Sequence, residues 1–522
     1  VSPDASGAAP HIEAPEARVV VFELAVAPEA AATLLRHPAL AGRRLGQARS
    51  AEATVVFHDT AEGALAAEGL ALAVEPRGRG AVQRLLRGLP GEDARVEPAR
   101  PPAALAQTRL SRPGPDAASL VGLIPKSAEG MPLPAVAAAA GRRHTLRLAG
   151  GMTVTLFAGQ LRAVAAERDI ARLTLAVPEP SLAEGLDLLR ALAADRPVTV
   201  PAASLAEEAR AVALGVPARP LWRGPPDLTG AATVEDGARR AIGQLTLALL
   251  AAAPVAEEGS NPEGVHQARV AIRRLRSALT LFRPAIGCAA VTELKDRLGT
   301  LARALGPARD WDVFIAGALG EIVAAFPQEP ALASLARAAE AARESAYAEV
   351  RATLAAPFFR LLTLDLAAAV AAPPWRGGDD AEAAVLRDTP LEDFAAAALN
   401  RRYKRLMRAG EGFAQLDIPA LHRLRIQAKR MRYAGELFGG LYGAKKRRRF
   451  QKAVGAVQDA LGHLNDTAVA AGLMRTLAKR EPGRAWAAGV VQGWVAAKAA
   501  HAREDAAEAW ETFAERAPFW DG

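Results

Sequence analysis

His266-Gln267-Ala268-Arg269-Val270-Ala271-Ile272-Arg273-Arg274-Leu275-Arg276 returns 156 residues later as His422-Arg423-Leu424-Arg425-Ile426-Gln427-Ala428-Lys429-Arg430-Met431-Arg432. A second pair keeps the same offset: Leu305-Gly306-Pro307-Ala308-Arg309-Asp310 and Leu461-Gly462-His463-Leu464-Asn465-Asp466. Two motifs at one spacing mark a tandem duplication, with the halves expected to be related by a pseudo-twofold axis. On a helix that turns ~100° per residue, His266, Arg269, Arg273 and Arg276 fall within roughly 80° of arc. Ala268, Ile272, Leu275, Leu279 and Phe282 take the opposite side. The copy repeats this, with His422, Arg425, Lys429 and Arg432 opposite Leu424, Ala428, Met431 and Phe438. Each rod has one apolar and one cationic face.

No acidic residue lies between Val265 and Phe282, or between Leu421 and Gly435. Surface helices usually mix signs, because like charges at i,i+4 repel by a few tenths of a kcal/mol. Arg269–Arg273 and Arg425–Lys429 are such like pairs. A merely solvated face is the plain alternative; an anion supplying the missing charge is the reading preferred. Arg401, Arg402, Lys404, Arg405 and Arg408 precede the second motif, and Lys445, Lys446, Arg447, Arg448, Arg449 and Lys452 follow it. Arginine suits phosphate because its planar fork pairs two oxygens at once. The two histidines sit among cations, which disfavour a charged imidazole, so each is expected to donate an N–H while neutral. Asp310 and Asp466 are expected to cap the helices after Gly306 and Gly462, with Asp310-Trp311-Asp312 as a weak alternative for a divalent ion.

Outward from the repeat, the text is helical from about residue 229 to 516, over 234–253, 265–282, 291–304 and 310–326 and again from 391. Residues 217–226 hold four prolines and one glycine, and a linker is placed at 217–228. Residues 17–216 mix strands (19–22, 54–57, 145–148, 152–157, 173–177) with helices (29–36, 181–194), an α+β pattern. Residues 1–16 read as a loose tail. The chain has 522 residues, one cysteine (Cys288) and a formal charge of +8. One thiol cannot form an internal disulfide. No signal-peptide pattern opens the chain and no apolar run reaches the ~18 residues of a membrane span, so a cytoplasmic protein is expected.

These motifs resemble the CHAD family, the conserved-histidine α-helical domain. The resemblance implies two pseudo-symmetric four-helix bundles, all-α, around a basic groove that binds inorganic polyphosphate, and association with polyphosphate granules. The ligand residues it implies are His266, Arg269, Arg273, Arg274, Arg276, Arg309, Arg401, Arg405, His422, Arg425, Lys429, Arg430, Arg432, Lys445 and Lys446. No catalytic residue, metal site or cofactor is expected. The amino-terminal part resembles the CYTH or triphosphate-tunnel fold, an antiparallel β-barrel, through Phe57-His58-Asp59-Thr60 and the 69–74 strand. That family opens on a Glu-x-Glu-x-Lys strand; here the positions read Val19-Val20-Val21-Phe22-Glu23. Its Arg-x-Arg strand reads Ala73-Val74-Glu75, its tunnel lysine is a leucine near Gln83-Arg84-Leu85-Leu86, and its acidic strand reads Arg172-Leu173-Thr174-Leu175-Ala176. Metal-dependent hydrolysis needs carboxylates to hold the ion, so a degenerate domain is expected. The alternatives are a metal-dependent triphosphatase in this domain, nucleic-acid binding by the basic helices, or an adaptor for an unknown partner. Single-strand binders add aromatic platforms, and only Tyr433 and Tyr403 lie near.

Overall fold

The computed structural model describes residues 18–87, 98–378, 380–480, 485–498 and 501–521, without the side chains of 463–469 and 478–480. The tail read for 1–16, and the side chains of Asn465 and Asp466, lie outside the described residues. The first part is one antiparallel sheet. Its strands are β1 (Val19–Val26), β2 (Arg49–His58), β3 (Leu70–Arg77), β4 (Gly80–Arg87), β5 (Ala103–Leu110), β6 (Ala135–Arg147), β7 (Thr153–Arg162), β8 (Glu167–Pro178) and β9 (Val198–Thr199). They are ordered β5-β4-β3-β2-β6-β7-β8-β1-β9. The sheet curls far enough for the Glu23 N–H, on β1, to donate to the carbonyl of Ala99, just ahead of β5 (2.6 Å).

Helices cover both faces. The short helices α1 (Pro28–Leu34), α2 (Pro38–Ala41) and α3 (Ala64–Ala67) pack at strand ends, followed by α4 (Leu182–Asp195) and α5 (Leu205–Leu214). Phe22, Leu24, Leu173 and Leu175 bury one face against Leu188 and Leu192 of α4. On the other face Ala53, Ala71, Ala73, Ala137 and Ala139, with Phe57, Phe157 and Leu161, meet Ala206 and Ala209 of α5. The alanine-rich text of 135–140 would favour a helix on propensity alone. It is strand because β2 and β7 pair with both its edges and because only small side chains let α5 approach. Tertiary context wins here.

The second part is helical: α6 (Val234–Glu258), α7 (Glu263–Leu281), α8 (Arg283–Ile286), α9 (Ala289–Ala304), α10 (Gly306–Phe314), α11 (Gly320–Ala325), α12 (Pro330–Ala355), α13 (Pro357–Ala371), α14 (Ala381–Asp388), α15 (Leu391–Gly410), α16 (Ile418–Phe438), α17 (Ala444–Arg480), α18 (Ala485–Lys498) and α19 (Ala502–Ala514). Each half is built on four rods. α6, α7, α9 with α10, and α12 correspond to α15, α16, α17, and α18 with α19, and each begins within one residue of the 156 offset. The third rod breaks only in the first half. Pro307 lacks the N–H that would continue the ladder, whereas position 463 is histidine and α17 runs through. The helix expected over 310–326 is likewise interrupted, at Gly317 (φ −98°, ψ −109°).

The helix α13 carries the contact between the two parts. Arg360 Nε donates to the Ala193 carbonyl at the end of α4 (2.9 Å). Asp365 accepts from Arg190 (2.9 Å) and from Arg297 (2.6 Å). Leu364, Ala367 and, from α6, Leu250 join the core of the sheet. Among the described residues no single helix is long and apolar enough to cross a membrane; the bent pair α12–α13 meets the length and composition test only as a pair.

Candidate functional site

In α7 the apolar face is sealed: Val265, Ala268, Ile272 and Leu275 are at 0% exposure. His266 and Arg269 are half-buried beside it, while Arg273 and Arg276 are exposed. Arg269 donates to the Ala302 carbonyl (2.7 Å), one of the last-turn acceptors left open where α9 ends. That places its guanidinium at the α9–α10 break, next to Arg309. Burial pushes the His266 imidazole below its ordinary pKa; Arg309, Arg273 and Arg269 push the same way, and Glu263 opposes them. The imidazole is therefore neutral near pH 7 and able to donate. Burial also lowers Arg269, with Arg273 and Arg309 adding to it and Asp310 opposing.

Asp310 corrects the capping expectation. It is the fifth residue of α10, a helix that starts at Gly306 with proline in its first turn, and the backbone at Asp466 is inside α17. Burial raises the Asp310 carboxyl, against the pull of Arg269 and Arg309. Asp312 points inward instead, 2% exposed at its side chain, and accepts from Arg343 Nε (2.8 Å) and the Tyr347 hydroxyl (2.9 Å). It ties α10 to α12. Among the described residues no three His, Cys, Asp or Glu side chains converge for a metal.

In α16, Leu424, Ala428, Met431 and Phe438 are at 0% exposure. His422 and Arg430 are exposed; Arg425, Lys429 and Arg432 are half-buried. The buried Arg425 Nε lacks a hydrogen-bond partner among the described residues. The two signature helices touch. The Arg273 guanidinium lies 5.2 Å from the centroid of the Tyr433 ring, a cation–π distance. Beside it, Arg274 donates to Glu436 through Nε (3.1 Å) and Nη2 (3.0 Å) and to the Gly224 carbonyl (2.6 Å).

Two of the sequence-expected ligand residues are paired with the same acid, Glu436. Arg274, 15% exposed at its side chain, is spent on joining the halves. Arg432 donates to Glu436 as well (3.0 Å) and lies 3.9 Å from Asp459. The acid responsible stands one residue beyond the acid-free stretch and 162 positions from Arg274. Lys445 and Lys446 are exposed at the start of α17. Arg401 and Arg405 are exposed on α15 and line a cleft with Arg402 and with Arg283 of α8. Arg283 stands outside the basic runs of the sequence, and Arg402 within one of them. The signal was available in the repeat itself: the positions matching 401, 402 and 405 are Leu245, Thr246 and Leu249.

The sheet retains carboxylates, each held by arginines. Glu75 accepts from Arg143 (2.8 Å), Arg77 (3.1 Å) and Arg84 (3.2 Å). Glu23 faces Arg172 (3.4 Å), which also binds Glu208 (2.5 Å). Burial raises the Glu23 carboxyl despite Arg172. Asp59 accepts from the Thr60, Leu65 and Ala66 N–H groups and from Arg210, and so shapes its own loop.

Residues 240–475 match the family model described as the CHAD domain. Among solved structures the chain is similar to the CHAD domain from the plant Ricinus communis, at 29% identity, 57% of this chain, 95% of that one and a TM-score of 0.47. It is similar to PptA from Streptomyces chartreusis at 16% identity, 54% and 99% coverage and a TM-score of 0.41. A Hippeastrum protein described as having a dominant triphosphatase activity is similar at 16% identity, 32% and 83% coverage and a TM-score of 0.23. These scores are too low to carry weight, and no curated protein matches. The repeat, its two signature helices and the family model agree: the helical part of this chain, over residues 240–475, belongs to the CHAD domain family.

Proposed function

We propose that the helical repeat binds inorganic polyphosphate along the cationic faces of α7 and α16. The observation that carries this is the cluster of His266, Arg269, Arg273 and Arg309, in which burial and the neighbouring guanidinium groups hold His266 and Arg269 low, opposed by Glu263 and Asp310. A chain of phosphates, with one charge per unit and no bases, meets such a face with oxygens alone. Arg276, His422, Arg425, Lys429, Arg430, Lys445 and Lys446 extend the proposed path. Recruitment to polyphosphate granules would follow from the same contacts.

The aromatic rings do not favour nucleic acid. Tyr433 is covered by Arg273, and Tyr403 packs against Phe450, Phe513 and Trp520. Both rings are thus engaged within the protein. In the sheet domain, the packing of α5 on the alanines of that face, and the arginines that hold Glu75, support a loss of triphosphate chemistry. Turnover of tripolyphosphate with a divalent metal by the full chain would refute that part.

The test is binding of long-chain polyphosphate to the full chain and to Arg273→Glu with Arg309→Glu. Both positions are at the surface or half-buried, so the fold should survive, as circular dichroism would verify. Loss of binding is expected; full binding by a folded double variant would remove these helices from the proposed site.

A further inference from the structure

A cavity of about 300 Å³ opens in the sheet domain between the end of β2, the loop that leads into α3, and α5. That volume is at the small end of the roughly 300–1,000 Å³ range of ligand pockets. Its apolar lining includes Phe57, Leu70 and Val136. Adjacent residues of a regular strand face opposite sides, yet Phe57 and His58 both line this cavity. The reason is a bulge. Phe57 pairs with Ala137 of β6 and His58 with Ala135, so Val136 is left over between them. An extra residue of this kind re-aims the side chains around it.

Three polar groups of the lining keep capacity for a ligand. Arg210, on α5, donates to Asp59 through Nη1 (3.0 Å), and among the described residues no other acceptor meets it. Its guanidinium lies against Gly63, where φ is +75° and a Cβ would stand 2.4 Å from Nη2; a side chain at position 63 would displace it. His58 is half-buried, and its Nδ1 is 3.0 Å from the Leu133 carbonyl. A carbonyl only accepts, so Nδ1 carries the proton. Burial holds the ring below its ordinary pKa, against the carbonyls of Leu133 and Pro134, and Nε2 of the neutral ring is therefore an acceptor. Glu62 is exposed and has no partner among the described residues. The other two acids of the lining are committed. Asp59 accepts from three backbone N–H groups besides Arg210, and Glu207 is held by Arg219 and the Ser204 N–H.

We propose that this cavity binds a free apolar α-amino acid as its zwitterion, with the carboxylate on Arg210, the ammonium on His58 Nε2 and Glu62, and the side chain on Phe57, Leu70 and Val136. A guanidinium matches a carboxylate through its planar fork, and an ammonium brings donors alone, which is what two acceptors require. A phosphate chain is a poor match, because one guanidinium stands among three carboxylates. The proposal goes beyond the polyphosphate reading and does not depend on it.

The experiment is calorimetric titration of the full chain near pH 7 with L-phenylalanine, L-leucine and L-methionine. The tightest of the three is then compared with the amine that lacks its carboxylate and the acid that lacks its ammonium. At least one amino acid should bind, and each truncated analogue should bind roughly tenfold or more weakly, as expected for a lost hydrogen bond to a charged group. Arg210→Gln should erase the preference over the amine, and Glu62→Gln the preference over the acid. Asp59 keeps its three N–H donors in the first variant and Glu62 is exposed, so both should fold, as circular dichroism would verify. Arg273→Glu with Arg309→Glu should keep the wild-type amino-acid affinity within about threefold, the scatter expected of distant independent sites. No binding of any of the three amino acids, analogues as tight as the amino acid, preferences intact in both cavity variants, an equal loss in the α7–α10 variant, or displacement of the amino acid by tripolyphosphate would each overturn the proposal.

Discussion

The two halves of the helical repeat share a plan and differ in what covers them. In the first half, α6 is enclosed: Leu245 and Leu249 lie in the helical core, and Leu250 reaches the core of the sheet domain. The helix α13 completes that docking face. In the second half, α15 packs on α16 through Phe394, Leu399 and Leu406, and the positions matching Leu245 and Leu249 carry Arg401 and Arg405. The same register thus supplies cohesion where the chain packs on itself and charge where it faces solvent. A repeat needs only one half to be anchored, which leaves the other free to hold uncompensated cations.

The largest effect should come from exchanging these roles. Leu249→Ala is expected to cost about 2–5 kcal/mol, as for a fully buried leucine. Arg405→Ala at the matching position should stay within about 0.5 kcal/mol. Urea midpoints of the two variants would measure the contrast, and equal shifts would erase it. Next comes the joint between the halves. Glu436→Ala leaves Arg274, 15% exposed, without its partner, and should cost about 1.5–3 kcal/mol, the range for hydrogen bonds to charged groups. An unaltered midpoint would mean that the pair contributes nothing across the α7–α16 contact.

The smallest effect is a pH dependence confined to the first half. His266 is held below its ordinary value of 6.5. A histidine lowered by folding makes the native state lose stability as pH falls from the unfolded value towards the folded one, because the unfolded chain binds the proton first. A bound polyanion favours the charged form and raises that pKa. Polyphosphate affinity should therefore rise as pH drops through the window below about 6.5–7, and His266→Gln should flatten the rise. An equal rise in the variant would assign the proton elsewhere.

The duplication was legible in the sequence because charge and apolar period coincide on one rod, and α7 and α16 lie where the spacing put them. Several strands were not, β6 above all, since its alanines favour a helix until β2 and β7 claim both edges. The site was legible as a list of cations on helix faces. Which of them remain available was not, because Arg274 and Glu436 meet across 162 residues and no local pattern reports that. The arginine cleft was hidden for a different reason. Its arginines other than Arg283 belong to a basic run, and their meaning appears only against the leucines of the other half.

The most direct test of the central claim is a titration of the full chain with long-chain polyphosphate across a series of salt concentrations. Neutralising a phosphate chain with arginine and lysine releases counterions, so the logarithm of the binding constant should fall linearly and steeply with the logarithm of salt. Arg273→Glu with Arg309→Glu should weaken binding and make that line shallower. A binding constant indifferent to salt, or an identical line for the double variant, would contradict the account.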